Sequence, residues 1–156
     1  MPHPRVEIAS RLVGTWRGEG HGLTPRPFDY TDTWEFVDLG RPFLCFVEQT
    51  TRDGAPAHTE SGYLRFVDGA GTLEIVASLP TGQTELGTGS VRIEDDVLTL
   101  VTDASVQATA TATQVTRLVR TFRLRGDTLD YQLDMDWAGG SQERHLSSSL
   151  TRVQAS

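Results

Sequence analysis

Lysine is missing from this sequence: all 14 basic residues among its 156 are arginine. Schiff-base catalysis and a phosphate-loop lysine are thereby excluded. The arginine-only set itself reads as the codon usage of a GC-rich genome. Cysteine occurs once, as Cys45, so no intramolecular disulfide can form. Long apolar runs are also absent. The densest, Phe43–Val47, is far short of the ~20 residues of a membrane span. The opening Met-Pro-His-Pro-Arg is not followed by the apolar stretch of a secretory signal. These absences predict a soluble, cytoplasmic chain with no membrane partner. Basic charge is in deficit: 21 acidic residues give a formal net charge of −7. That argues against nucleic acid as the main partner. The four histidines, His3, His21, His58 and His145, have no zinc-helix spacing, and Cys45 has no cysteine partner, so a closed structural zinc site is not expected.

What remains is ordinary for a globular chain: 37% hydrophobic and 22% charged residues, which is too apolar for disorder. The length predicts one domain spanning 1–156. Turn signals recur at Asp53-Gly54, Asp68-Gly69, Gly71, Thr81-Gly82, Asp95-Asp96, Gly126-Asp127 and Gly139-Gly140. Between them lie short segments of alternating polarity. In the clearest, Leu129, Tyr131, Leu133, Met135 and Trp137 alternate with Asp130, Gln132, Asp134 and Asp136. An unbroken period of two means one buried face and one wet face. The preceding segment, Leu118–Arg125, joins it through a hairpin at Arg125–Thr128. Further strands are predicted at Leu12–Gly20, Phe28–Val37, Pro42–Thr51, His58–Val67, Thr72–Ser78, Glu85–Ile93, Val97–Thr102, Ala108–Val115 and Glu143–Val153. The only helix candidate, Val6–Leu12, is barely two turns and is expected to act as a lid or plug. About ten antiparallel strands with so little helix favour an all-β, closed antiparallel barrel, because closure removes the exposed edges. Such a barrel can enclose a ligand.

The first predicted strand contains Gly14-Thr15-Trp16-Arg17-Gly18-Glu19-Gly20. Trp16 can close one end of a barrel, with Gly14 allowing a tight entry and Gly18 and Gly20 a sharp bend. First and last strands are neighbours in a closed barrel, which can bring Arg152 over the Trp16 ring. This Gly-x-Trp-x-Gly-x-Gly segment resembles the motif of the nitrobindins, ferric-heme β-barrels also described as fatty-acid-binding-protein-like. Pro56–Arg65 is similar to that family's Pro-x-His-x-Glu-x-Gly-Tyr-Leu-Arg block. Thr81-Gly82 with Glu85 is similar to its Thr-Gly-x-x-Glu turn. His145–Arg152 is similar to its terminal His-Leu-x-x-x-Leu-x-Arg. The resemblance implies a ten-stranded, lipocalin-like barrel holding one ferric heme b per chain, with His145 as axial iron ligand. It further implies reversible binding of nitric oxide and isomerisation of peroxynitrite to nitrate. By the same matching, His58 and Met135 fall where family residues line the heme pocket. A homodimer is left open. The chain departs from the family pattern at Leu23–Pro27 and at Trp137–Gln142, both near the expected heme mouth.

The residues taken by themselves leave other readings. His145 alone is a surface histidine at a hairpin end, His58 a loop histidine, and Met135 a filler of irregular core space. Glu60 and Arg65 read as a salt bridge or a solvated face, and Cys45 as buried core. The barrel could equally carry another small hydrophobic ligand without catalysis, or be filled by its own side chains. On the last strand, period two sets His145 with Ser147 and Ser149 against Leu146 and Leu150. A heme pocket needs His145 inside. Small inward serines with outward leucines are the expected solution, and a bulge is the alternative.

Overall fold

In the computed structural model, which describes residues 1–23, 25–138 and 143–154, ten antiparallel strands follow a short 3₁₀ helix, Glu7–Leu12. The strands are β1 (Gly14–Gly22), β2 (Phe28–Asp38), β3 (Phe43–Arg52), β4 (Ala55–Phe66), β5 (Thr72–Leu79), β6 (Gln83–Glu94), β7 (Val97–Ala108), β8 (Val115–Arg125), β9 (Thr128–Trp137) and β10 (Glu143–Arg152). Each pairs with its neighbour in sequence, and β10 returns to pair with β1, closing the barrel. The segment expected as a strand at Ala108–Val115 is instead the end of β7 and a turn. That turn lacks glycine and proline, so it left no mark in the sequence. It is built from hydrogen bonds: Gln114 Nε2 donates to the carbonyls of Thr109 and Ala112 at 3.3 and 2.9 Å. The turn expected at Gly139-Gly140 lies outside the described residues. Among the described residues, no helix is long and apolar enough to cross a membrane.

Alternation along every strand sorts the side chains into three interior levels. One end is plugged by an apolar cluster that includes Trp16, Trp34, Phe36, Leu98, Leu129 and Leu150, with Val6, Ala9 and Leu12 of the N-terminal segment beneath it. The helix is thus a plug rather than a lid. Trp34 is the centre of an aromatic group, with ring centroids 5.0 Å from Phe122 and 4.8 Å from Tyr131. The middle level is polar: Asp32, Glu48, Glu60, Glu85, Thr102, Arg120 and Ser148 are all buried. The third level is an open pocket at the opposite end. Cys45 does not join the core. It is half-buried on the outer face, because Leu44 and Phe46 take the inward positions on either side of it. Tyr63, 49% exposed, also lies outside.

The plugged end is where the first and last strands meet. Trp16 is fully buried and its indole Nε1 donates to the Leu12 carbonyl at 2.8 Å. The Arg152 guanidinium lies 4.2 Å from a Trp16 ring centroid. Its Nη1 and Nη2 donate to the carbonyls of Val13 and Arg11, both at 2.7 Å, and its Nε donates to Asp127 Oδ1 at 3.1 Å. Gly14 has φ +126°, a conformation L side chains rarely adopt. A Cβ at Gly18 would stand 1.9 Å from the Ser149 carbonyl oxygen, so β1 and β10 approach this closely only over glycine. Replacing Arg152 removes the donor from two part-buried carbonyls and strips the Trp16 face. Arg152→Ala is expected to cost about 2–4 kcal/mol in urea unfolding, on typical values for lost charged hydrogen bonds and cation–π contacts. Arg152→Lys, which cannot span both carbonyls with a planar fork, should recover less than half of that. A full lysine rescue would show that charge alone matters there.

Candidate functional site

The pocket opens between the strand ends opposite the plug and has a volume of about 300 Å³. That is at the small end for a ligand site, but its mouth is open, so a flat ligand can project a polar edge into water. Leu118 of β8 and Leu133 and Met135 of β9 form an apolar wall, with Phe28, Leu79 and Trp137 nearer the rim. Arg52 supplies a guanidinium at the rim, held 4.4 Å above the Phe28 ring. His145, His58 and Met135, from three different strands, all line this one pocket.

His145 reaches it by a β-bulge. The β10–β9 register runs Arg144 opposite Asp134 and then Leu146 opposite Leu133, leaving His145 as the extra residue. His145 and Leu146 therefore both line the pocket although they are adjacent in sequence. The expectation of outward leucines is corrected by this: Leu150 is fully buried, Leu146 packs against the core, and Ser149 is exposed. Of the serines, only Ser148 faces in, and its hydroxyl donates to Asp32 Oδ2 at 2.7 Å. The ring of Trp137 meets the His145 ring edge-on at 6.4 Å between centroids. Burial, and secondarily the nearby His58, holds the His145 pKa below its ordinary value. The imidazole is thereby kept neutral at pH 7, the form that ligates a metal.

The floor of the pocket is the polar level, which sequence reasoning missed. Glu60 is not on a solvated face and does not pair with Arg65, which bonds Glu74 on the outside at 2.6 Å. Glu60 is buried and bonded by Arg120, itself fully enclosed. Arg120 Nε also donates to Glu85 Oε1 at 2.9 Å, and Nη1 to the Tyr131 hydroxyl at 2.8 Å. His58 Nε2 donates to the other Glu60 oxygen at 3.2 Å. Burial would push the Glu60 carboxyl up, but Arg120 and His58 together outweigh it and bring the pKa down to about 2. For Asp32, Glu48 and Glu85 burial prevails, and their pKa values are raised. The signal for this level was present but weak: single acids at inward parity on β2, β3, β4 and β6, and an arginine at inward parity between Leu118 and Phe122.

An up-and-down barrel, plugged at one end and holding a neutral imidazole beside an apolar wall at the other, defines a class of small-ligand-binding barrels. Comparison with known proteins narrows it. Residues 6–152 match the family model described as THAP4-like, heme-binding beta-barrel domain, and the chain belongs to this family. It is 39% identical over 155 residues to peroxynitrite isomerase 2 of Mycobacterium avium, covering 96% of each chain. It is 39% identical over 157 residues to peroxynitrite isomerase 1 of Mycobacterium tuberculosis H37Rv, covering 96% of this chain and 95% of the relative. Among solved structures, the crystal structure of Rv2717c from M. tuberculosis superimposes with a TM-score of 0.93 at 36% identity, covering 99% of this chain and all of that one.

The pocket suits the family's ligand. It offers one neutral imidazole, an apolar wall for a porphyrin face, and a guanidinium at the rim for a carboxylate edge. Two outcomes test the polar floor beneath it. Arg120→Met strands buried carboxylates and is expected to lose about 3–5 kcal/mol in urea unfolding. Adding Glu60→Gln and Glu85→Gln to that variant should recover most of the loss; a cost below about 1 kcal/mol for Arg120→Met alone would contradict the pairing. The second outcome concerns pH. Raised carboxyls bind protons in the folded state that the unfolded chain has already released. Their contribution therefore makes stability fall as pH rises above the ordinary carboxylate range. Glu60 has the opposite sign: its contribution is complete above about pH 4.5 and is lost as pH drops toward 2. His145, whose pKa is lowered, contributes a rise in stability up to about pH 6.5. In urea unfolding from pH 5 to 8 in EDTA, Glu48→Gln should therefore lose less stability with rising pH than the wild type.

Proposed function

We propose that this chain binds one ferric heme b per barrel through His145 and, so loaded, converts peroxynitrite to nitrate and binds nitric oxide. The observation that carries the reading is the bulge that brings His145 to a pocket with an apolar wall. The family match and the two mycobacterial relatives named peroxynitrite isomerase support it. When bound, ferric heme supplies a Lewis-acidic iron with an open coordination position for a small ligand. The chain's own residues do the rest. His145 holds the group through a nitrogen kept unprotonated by desolvation. Leu118, Leu133 and Met135 exclude water from the porphyrin face. Arg52 takes a carboxylate at the mouth as a charge-assisted bond. His58 sets a polar group on the wall, its ring fixed by the bond to Glu60.

Titration of the purified protein with hemin tests the reading. A Soret band should saturate at one equivalent, and the loaded protein should accelerate conversion of peroxynitrite to nitrate. His145→Ala should lose the saturable band or weaken hemin binding at least tenfold, with the fold unchanged by far-UV circular dichroism. If hemin gives no saturable band with the wild-type chain, the heme reading falls. A barrel that carries another apolar molecule would then take its place.

A further inference from the structure

Glu48 and Glu60 are direct cross-strand partners on β3 and β4, and both side chains point into the barrel. Like charges placed opposite each other in a sheet repel, and burial amplifies the repulsion. A proton or a cation must relieve that repulsion. Arg120 hydrogen-bonds Glu60 and Glu85 but not Glu48, whose carboxyl has Asp32 as its side-chain hydrogen-bond neighbour. The Glu48 side chain is 1% exposed, and its Oε1 has no hydrogen-bond partner among the described residues. A carboxylate oxygen so enclosed costs free energy unless a proton or a cation satisfies it.

The third group at this spot is His58, two residues before Glu60 on the same face of β4. One ligand atom each from Glu48, His58 and Glu60 lie within 4.8 Å of one another. His58 Nε2 and Glu60 Oε2 are 3.2 Å apart. Two ligands bound about 2.0–2.2 Å from one ion stand about 3.0–3.5 Å apart in octahedral to tetrahedral geometry. That pair is therefore already at coordination spacing, and only the Glu48 carboxylate has to close in. Glu60 Oε1 stays with Arg120, so a metal would use the oxygen that now faces His58.

We propose that Glu48, His58 and Glu60 form a binding site for a divalent first-row transition-metal ion, with zinc as the reference case. Two carboxylate oxygens and one imidazole nitrogen suit zinc, iron(II) or manganese better than calcium, which takes oxygen ligands. His58 and Glu60 also line the pocket, so the remaining coordination position faces the cavity. The site is distinct from the heme ligand: it uses none of the residues assigned to hold the iron, and it does not rest on the heme reading.

The test is calorimetric titration of ZnCl2 into the heme-free full chain after EDTA treatment and removal of the chelator, at pH 7.5. One equivalent should bind. Zinc should also raise the melting temperature of the wild-type protein. Glu48→Gln and His58→Gln should each weaken zinc binding at least tenfold and abolish the thermal shift. His145→Ala and His21→Ala should leave both unchanged, which separates this site from the heme ligand and from the surface His21–Asp29 pair. Absence of zinc heat and of a thermal shift in the wild type overturns the proposal, with Glu48 then satisfied by a proton. Zinc binding that survives both variants overturns it as well. Should Glu48→Gln fail to fold, the Co2+ spectrum of the wild-type protein decides. A saturable spectrum that differs from that of aqua Co2+ supports the site, and a spectrum unchanged from aqua Co2+ overturns it.

Discussion

A guanidinium enclosed at the centre of the barrel is the constraint around which the rest is arranged. Arg120, on β8, reaches across the lumen to Glu60 on β4 and Glu85 on β6, and touches Tyr131 beside it on β9. Strands far apart in the meander are thereby tied through the interior. A buried charge is tolerated only when paired and hydrogen-bonded, so these partners must all sit at one level. Apolar replacements could match or exceed the stability of such a network. What the network provides is a boundary: aromatic packing stops at Trp34, Phe122 and Tyr131, and the lumen beyond it is left open.

The boundary also has a polarity. Glu60 is held ionised by Arg120, while burial holds Asp32, Glu48 and Glu85 toward the neutral form. Arg120 is already paired with Glu60 and Glu85, so the cation that meets an acidic group entering from the mouth is Arg52 at the rim. The apolar wall formed by Leu118, Leu133 and Met135 lies between the two regions. A flat apolar ligand with an acidic edge is thereby oriented edge-outward by electrostatics, and its buried face is held by dispersion and desolvation.

Much of the fold was legible in the sequence because the barrel wall obeys one rule. Period-two patterning and turn residues located nearly every strand, and closure followed from the lack of helix. The run Leu129–Trp137 reads in the structure as it does in the sequence. Failures came where the rule was suspended or where one residue type has two uses. The Thr109–Gln114 turn uses side-chain amide bonds rather than glycine, so β7 was cut short. Cys45 has an apolar neighbour on either side, and composition alone could not say which parity faced in. Glu60 and Arg120 look like surface residues because acids and arginines usually are. Their burial depends on partners 60 and 35 residues away along the chain, a relation that no local pattern encodes. The lysine-free composition stayed uninformative, but at positions 120 and 152 the guanidinium bonds three partners at once.

The bulge at His145 resolves a conflict between the two ends of β10. At the plugged end, Leu150 must face inward and Arg152 must lie over Trp16, and pairing with β1 sets Leu150 opposite Gly18 and Arg152 opposite Trp16. Strict alternation from there puts Ser148 and Leu146 inside and His145 outside. A one-residue slip of the whole strand would bring His145 in, but it would turn Leu150 out and detach Arg152 from its two carbonyls. A single extra residue near the mouth avoids that choice. Register is kept from Leu146 to Arg152, while the chain before it is offset by one relative to β9. The closed end and the ligand end are thus positioned independently on one strand. That is why a histidine whose parity reads as outward lines the pocket, and why the bulge rather than the alternation determines what the pocket can hold.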